Sequence, residues 1–190
     1  MKRIILLLLL VIVCSSSLVF ADIDYLTLSF TGGFSSVSDS PSFGFNTSYQ
    51  YMASLGSKTY FGLNSHIDGS LQFESDSTNL SAGTMIGPSL GFAFNPSNFL
   101  VFTIAPAIYT EINAYEYCGF GLGLDLNHSI FLGSSKSFGI TFGTTTYLMF
   151  TELTSKKNGQ DFCADILGYV GFTYRGGDFA EIAEVFYNIY

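Results

Sequence analysis

From Leu26 to Arg175 apolar and polar residues alternate singly, and the alternation restarts eight times. A period of two is the signature of strands with one apolar face. The first run sets Leu26, Leu28, Phe30 and Phe34 against Thr27, Ser29 and Thr31, and the second sets Phe43, Phe45, Tyr49 and Tyr51 against Gly44, Asn46, Ser48 and Gln50. In the third, Phe61, Leu63, Ile67, Leu71 and Phe73 oppose Asn64, His66, Asp68, Ser70 and Gln72. The fourth opposes Leu80, Ile86, Leu90, Phe92 and Phe94 to Ser81, Gly83, Gly87, Ser89 and Gly91, and the fifth opposes Leu100, Phe102, Ile104, Ile108 and Ile112 to Thr103, Ala105, Ala107, Tyr109, Glu111 and Asn113. The last three carry Asp125, then Tyr147, then Asp165, Tyr169 and Arg175 on their polar faces.

The connections alternate too. Turns at 54–58, 95–98 and 133–137 are short, whereas 35–42, 74–79, 114–117 and 151–161 are longer on average and hold most of the loop acids. An even number of strands joined this way predicts an all-β fold, an eight-stranded antiparallel up-and-down barrel with both chain ends on the short-turn side. Pro88 and Pro106 fall mid-strand on the apolar faces of neighbouring strands. If Phe94 faces Leu100, the two prolines face each other. Each lacks a ladder donor, so they form either a pair of bends that help close the barrel or a weak lateral seam through which an apolar solute leaves sideways.

Composition decides which face is wet. Only 12% of residues are charged against 48% hydrophobic, with 20 Gly, 20 Phe, 12 Tyr and no Trp. A soluble barrel with its apolar face inward would carry Lys, Glu and Arg outside. Here the polar face is Gly, Ser, Thr, Asn and Ala, which suit the inside of a narrow barrel. The aromatic residues gather near the two strand ends, Phe34, Phe43, Phe73, Phe150 and Phe162 at one and Tyr51, Phe61, Phe94, Phe138, Phe172 and Tyr174 at the other. Two aromatic girdles around an aliphatic band predict a transmembrane barrel.

The amino terminus predicts how the chain reaches that membrane. Lys2 and Arg3 precede ten apolar residues, 4–13, and a small-residue close at Ala21, the pattern of a cleaved signal peptide over 1–21. A spanning helix would need about 20 apolar residues, and Val13 stands where lipidation of Cys14 would want a small residue. The barrel is then 22–175, and the mature chain from Asp22 onward carries five basic residues against fifteen acidic ones, a net charge of −10. Such a charge excludes nucleic acid as a partner. Cys118 and Cys163 remain as a possible disulfide in an oxidising compartment, provided one of them sits in a flexible loop, because a strand separates theirs. Residues 176–190 lose the alternation; Phe179, Ile182, Phe186 and Ile189 recur at helical spacing and predict a periplasmic tail with a short helix.

The pattern over 22–175 resembles the small eight-stranded outer-membrane proteins of the OmpX, OmpW and OmpA-barrel type, and its Gly and Phe alternation without Trp is similar to small barrels of spirochaetes. The segment GYVGFTYR at 168–175 resembles the terminal strand such barrels present to the assembly machinery, though here the chain continues for fifteen residues. The resemblance implies a porin-like or OmpW-like role in passing or binding small, including apolar, solutes, with outer-membrane lipids and the barrel-assembly machinery as partners. A surface adhesin or envelope protein with a plugged barrel is the alternative. A lipid-modifying enzyme is the distant one, because His66 and His128 are the only histidines and neither has a triad around it. No metal spacing or cofactor motif is present, so none is expected. His66, Asp68, Tyr109, Glu111, Asp125, Tyr147, Asp165 and Arg175 would line an acidic, cation-preferring path or hydrogen-bond into a plug. The inward glycines and serines of the fourth and sixth strands would leave room for water or a small solute, or serve curvature alone.

Overall fold

In the computed structural model, residues 23–36, 40–73, 78–112, 117–154 and 162–176 are described. The expected signal peptide, Asn113 and the tail beyond 176 lie outside the described residues. Eight strands follow the chain, β1 (Ile23–Ser35), β2 (Ser40–Ser54), β3 (Thr59–Phe73), β4 (Thr78–Asn95), β5 (Asn98–Ile112), β6 (Tyr117–Leu132), β7 (Phe138–Thr154) and β8 (Cys163–Arg175). Each pairs antiparallel with the next, and β1 pairs with β8, closing the barrel.

The register fixes the barrel's dimensions. Leu90 pairs with Phe102, and the line continues through Leu126, Thr144, Gly168, Gly32, Phe43 and Leu71 back to β4 at Leu80, ten residues from where it began. Eight strands with that stagger tilt by roughly 40° and enclose a space just wide enough for side chains. The turns at one end are tight. Asn95 Oδ1 accepts from the Ser97 amide (2.8 Å) and Asn98 Nδ2 (3.0 Å), a side-chain substitute for a backbone turn bond. Gly133, at φ +71°, starts the β6–β7 turn in a conformation open to glycine.

Every large side chain of the apolar faces points outward. Phe172 is 71% exposed, and Phe30, Phe45, Phe94, Phe138 and Ile86 are similarly bare. Ring pairs form on this surface between Phe150 and Phe162 near the loop end and between Phe138 and Tyr174 near the turn end. A continuous apolar exterior that no element among the described residues covers is the surface lipid covers in a membrane barrel.

The seam between β4 and β5 departs from the expected register. Ala93 pairs with Phe99 and Asn95 with Asn98, so Phe94 is an extra residue, a one-residue bulge beside the turn. The bulge puts Phe92, not Phe94, opposite Leu100, and Pro88 and Pro106 are therefore offset by two residues instead of facing each other. Pairing nevertheless lapses between Met85–Ala107 and Ser89–Thr103. The Ala93 amide donates to Lys58 O on the β3 side, and the Phe131 amide of β6 donates to Ser97 O. By alternation Pro88 turns its nitrogen toward β5 and Pro106 toward β4, so both missing donors fall in one seam. On their other sides Pro88 still pairs with Leu63 and Pro106 with Leu122. Replacing both prolines by valine should restore two bonds of about 1 kcal/mol each. The expected result is a higher temperature for the heat-induced gel shift and slower amide exchange at Ile86 and Ile104; unchanged exchange would mean that the missing donors do not cause the lapse.

Candidate functional site

The lumen is the place where the fold gathers polar chemistry, and it is filled in three layers. At the turn end lies an aromatic floor of Ile23, Tyr25, Met52, Tyr60, Ala93, Phe99, Val101 and Phe131. Tyr25 stacks on Phe99 at 4.9 Å, and Tyr60 meets the same ring edge-on at 5.3 Å. The Arg175 guanidinium lies 4.2 Å over the Phe131 ring and donates to Pro96 O at 3.2 Å. Arg175 therefore closes the floor and does not neutralise the acids higher up. Sequence reasoning missed this floor, because Phe99-Leu100-Val101-Phe102 is apolar on both faces and reads as lost alternation. Counting parity through such runs would have found it.

Above the floor the stagger brings β3 across from β6 and β7. His66, with no exposed surface, sits between two carboxylates, its Nε2 3.1 Å from Asp68 Oδ1 and its Nδ1 4.0 Å from Asp125 Oδ1. The Tyr147 hydroxyl donates to Asp68 Oδ2. Asp125 accepts from Tyr169 OH (2.8 Å), Asn127 Nδ2 (2.8 Å), Thr145 Oγ1 (3.1 Å) and Asn64 Nδ2 (3.4 Å). Six strands are tied by this one network, β3, β6, β7, β8 and, through the Thr103 hydroxyl bonded to Asn64 and to Ser89, β5 and β4. Hydrogen bonds of this kind offset the cost of burying a carboxylate.

The third layer, toward the loop end, mixes both characters. Glu111 Oε1 accepts from Ser35 Oγ (2.6 Å), Gln72 Nε2 (2.7 Å) and Tyr109 OH (2.9 Å). Around this cluster pack Met85, Ala107, Tyr117, Met149, Cys163 and Leu167. Asp165 is 2% exposed and neither of its oxygens has a hydrogen-bond partner. Its charged neighbours are Asp68 and Glu111, and the nearby Tyr109 hydroxyl is committed to Glu111.

Among the described residues, four inward glycines are filled from the lumen side. A Cβ on Gly83 would lie 2.6 Å from the Tyr147 ring, and one on Gly91 would lie 2.6 Å from the Phe99 ring. At Gly123 the Met85 sulfur occupies the space, and at Gly143 the Tyr169 ring does. These four glycines are sockets for large inward side chains, and at Gly83 the Tyr147 ring comes from the far wall of the lumen.

The two cysteines are not joined. Cys163 is buried inside the barrel and Cys118 is half-buried, and neither forms a disulfide. Strand β7 stands between them, with Thr154 paired to Cys118 and Met149 paired to Cys163. Both cysteines belong to strands, so the flexible loop position that a bridge would need is not there.

Pro88 and Pro106 lie on the exterior, with a shallow groove formed by Thr84, Ile86, Pro106, Ile108 and Phe120 beside the lapse in pairing. His128 is also on the exterior, half-buried between Phe94 and Phe142. Among the described residues no group of three His, Cys, Asp or Glu side chains is placed to hold a metal ion.

No family model and no curated protein sequence matches the chain. Solved structures do. Ail, the attachment invasion locus protein of Yersinia pestis, matches with a TM-score of 0.54 at 12% identity, over 83% of this chain and 100% of that one. Ail in complex with the heparin analogue sucrose octasulfate also gives 0.54, at 11% identity over 81% and 98% of the two chains. Neisserial surface protein A matches at 0.49, with 12% identity over 80% and 95%. Sequence pattern, barrel closure and the two Ail structures agree that this chain has the fold of the small eight-stranded outer-membrane β-barrel proteins.

Proposed function

We propose that the protein is a closed outer-membrane barrel that works through its loop end and its lipid-facing exterior, without enzymatic activity and without conducting solutes through its middle. The observation that carries this reading is the three-layered lumen. Tyr25, Tyr109, Tyr147, Met52, His66 and Phe131 are all at or below 2% exposure, so both the aromatic floor and the charged middle would have to open for passage. The plugged alternative is thereby favoured over passage of small solutes. Behind the lapse at Pro88 and Pro106 the inward residues Met85, Ala105 and Ala107 are buried, which speaks against a sideways exit.

Catalysis is disfavoured by the same burial. Thr145 Oγ1 lies 3.3 Å from His66 Nε2, with Asp68 and Asp125 alongside, a nucleophile-like group of four. All are sealed at 3% exposure or less, beyond reach of any substrate. A sulfated polyanion such as the one bound by Ail is a poor ligand here, since the mature chain carries five basic residues against fifteen acids. The reading requires outer-membrane lipids around the barrel and the barrel-assembly machinery during biogenesis.

Four lysines of the mature chain test its orientation. Lys58 and Lys136 lie in the short turns, and Lys156 and Lys157 lie in the connection after β7. A membrane-impermeant amine reagent on intact cells should modify the second pair and reach the first only after the outer membrane is permeabilised. Labelling of Lys58 in intact cells would reverse the orientation and end the proposal.

A further inference from the structure

Among the described residues the exterior holds a histidine that the plug does not explain. His128 projects from β6 among Leu100, Leu126 and Phe142, its ring edge-on to Phe142 at 5.1 Å and to Phe94 at 6.4 Å. Its Nε2 is buried without a hydrogen-bond partner. An imidazole facing hydrocarbon with nothing to bond is costly, and such a residue marks a site when a partner lies within reach.

Depth identifies the partner. At a tilt of roughly 40° each residue advances about 2.5 Å along the membrane normal. His128 lies between the middle of Tyr117–Leu132 and its turn end, which places it about 9 Å below the strand's midpoint. The apolar band of such barrels extends roughly 12 Å to each side of the midplane. The imidazole is thus about one side-chain length inside the turn-end interface, where a phospholipid's phosphate and ester groups lie. From His128 a groove of about 580 Å³ runs past Thr144 to Gly168, walled by Leu126 and Phe142. Gly168, at its far end, has no side chain to fill it. The groove therefore leads from a hydrogen-bonding head position toward the middle of the apolar band, the shape of one lipid with its acyl chain.

We propose that His128 and this groove form a specific phospholipid site in the leaflet at the turn end, the imidazole donating to the phosphodiester and an acyl chain lying over Gly168. The proposal rests on the membrane-embedded reading of the exterior. The test is solid-state NMR on the full mature chain labelled with ¹⁵N-histidine, in phosphatidylethanolamine and phosphatidylglycerol vesicles in phosphate-free buffer, with ¹⁵N–³¹P dipolar recoupling. One imidazole signal should be dephased by phosphorus, and that signal should vanish in His128→Phe while the His66 signal stays undephased. Contacts between outward phenylalanine carbons and acyl-chain protons, recorded on the same samples, report insertion independently. If those contacts are present and His128 shows no dephasing, the lipid site is wrong and the barrel reading stands. If the contacts are absent as well, the embedded reading falls with it. Dephasing that persists in His128→Phe also overturns the assignment.

Discussion

Replacing His66 by alanine is expected to destabilise the barrel by about 3–5 kcal/mol, the usual consequence of leaving a buried charge uncompensated. His66 is the base between Asp68 and Asp125, at 3.1 and 4.0 Å, with no exposed surface on which water could substitute for it. Arg175 cannot take over, since its guanidinium is spent on Phe131 and Pro96 O in the floor. The loss should appear as a lower urea midpoint for the folded, fast-migrating form with an unchanged denaturant slope. Adding Asp68→Asn in the His66→Ala background should recover a substantial part, because the amide keeps a partner for Tyr147 OH while removing the charge. A loss below about 1 kcal/mol in the single variant, or no recovery in the double, would show that His66 is not the charge partner holding the middle layer.

The second large effect concerns the sockets. Valine at Gly83 would place its Cβ 2.6 Å from two atoms of the Tyr147 ring, and that ring cannot withdraw while its hydroxyl bonds Asp68 and its face lies 5.7 Å from the Tyr109 ring. Overpacking of this kind costs about 1–3 kcal/mol, and a transmembrane barrel has no free space outside the wall to absorb it. Combining Gly83→Val with Tyr147→Ala should restore much of the stability, so that the double variant is more stable than the sum of the singles predicts. Simple additivity would mean that Tyr147 does not occupy the Gly83 socket.

Strand number and the outward face were legible because the two-residue period is geometric and blurs where both faces are apolar. Phe99-Leu100-Val101-Phe102 and Ile130-Phe131-Leu132 are such places, and there the floor was hidden. The start of β1 was hidden too, since Ile23 and Tyr25 turn inward ahead of the run that opens at Leu26. Register was not legible. One bulged residue, Phe94, moves every β4–β5 pair, and nothing in Phe92-Ala93-Phe94-Asn95 announces which residue will leave the ladder. The inward set His66, Asp68, Tyr109, Glu111, Asp125, Tyr147, Asp165 and Arg175 could be named from parity alone. Its connections could not, since they depend on the ten-residue stagger that carries β3 to β6 and β7 across the lumen. The same stagger separates Cys118 from Cys163 and pairs Gly83 with Tyr147 from the opposite wall.

The most direct measurement of the closed lumen is ionic current through the purified wild-type protein in planar lipid bilayers. The filled floor and middle layer predict a membrane that stays at baseline at salt concentrations and voltages where open barrels conduct. Reproducible unitary steps, abolished by heating the protein to its unfolded gel form before insertion, would contradict the account.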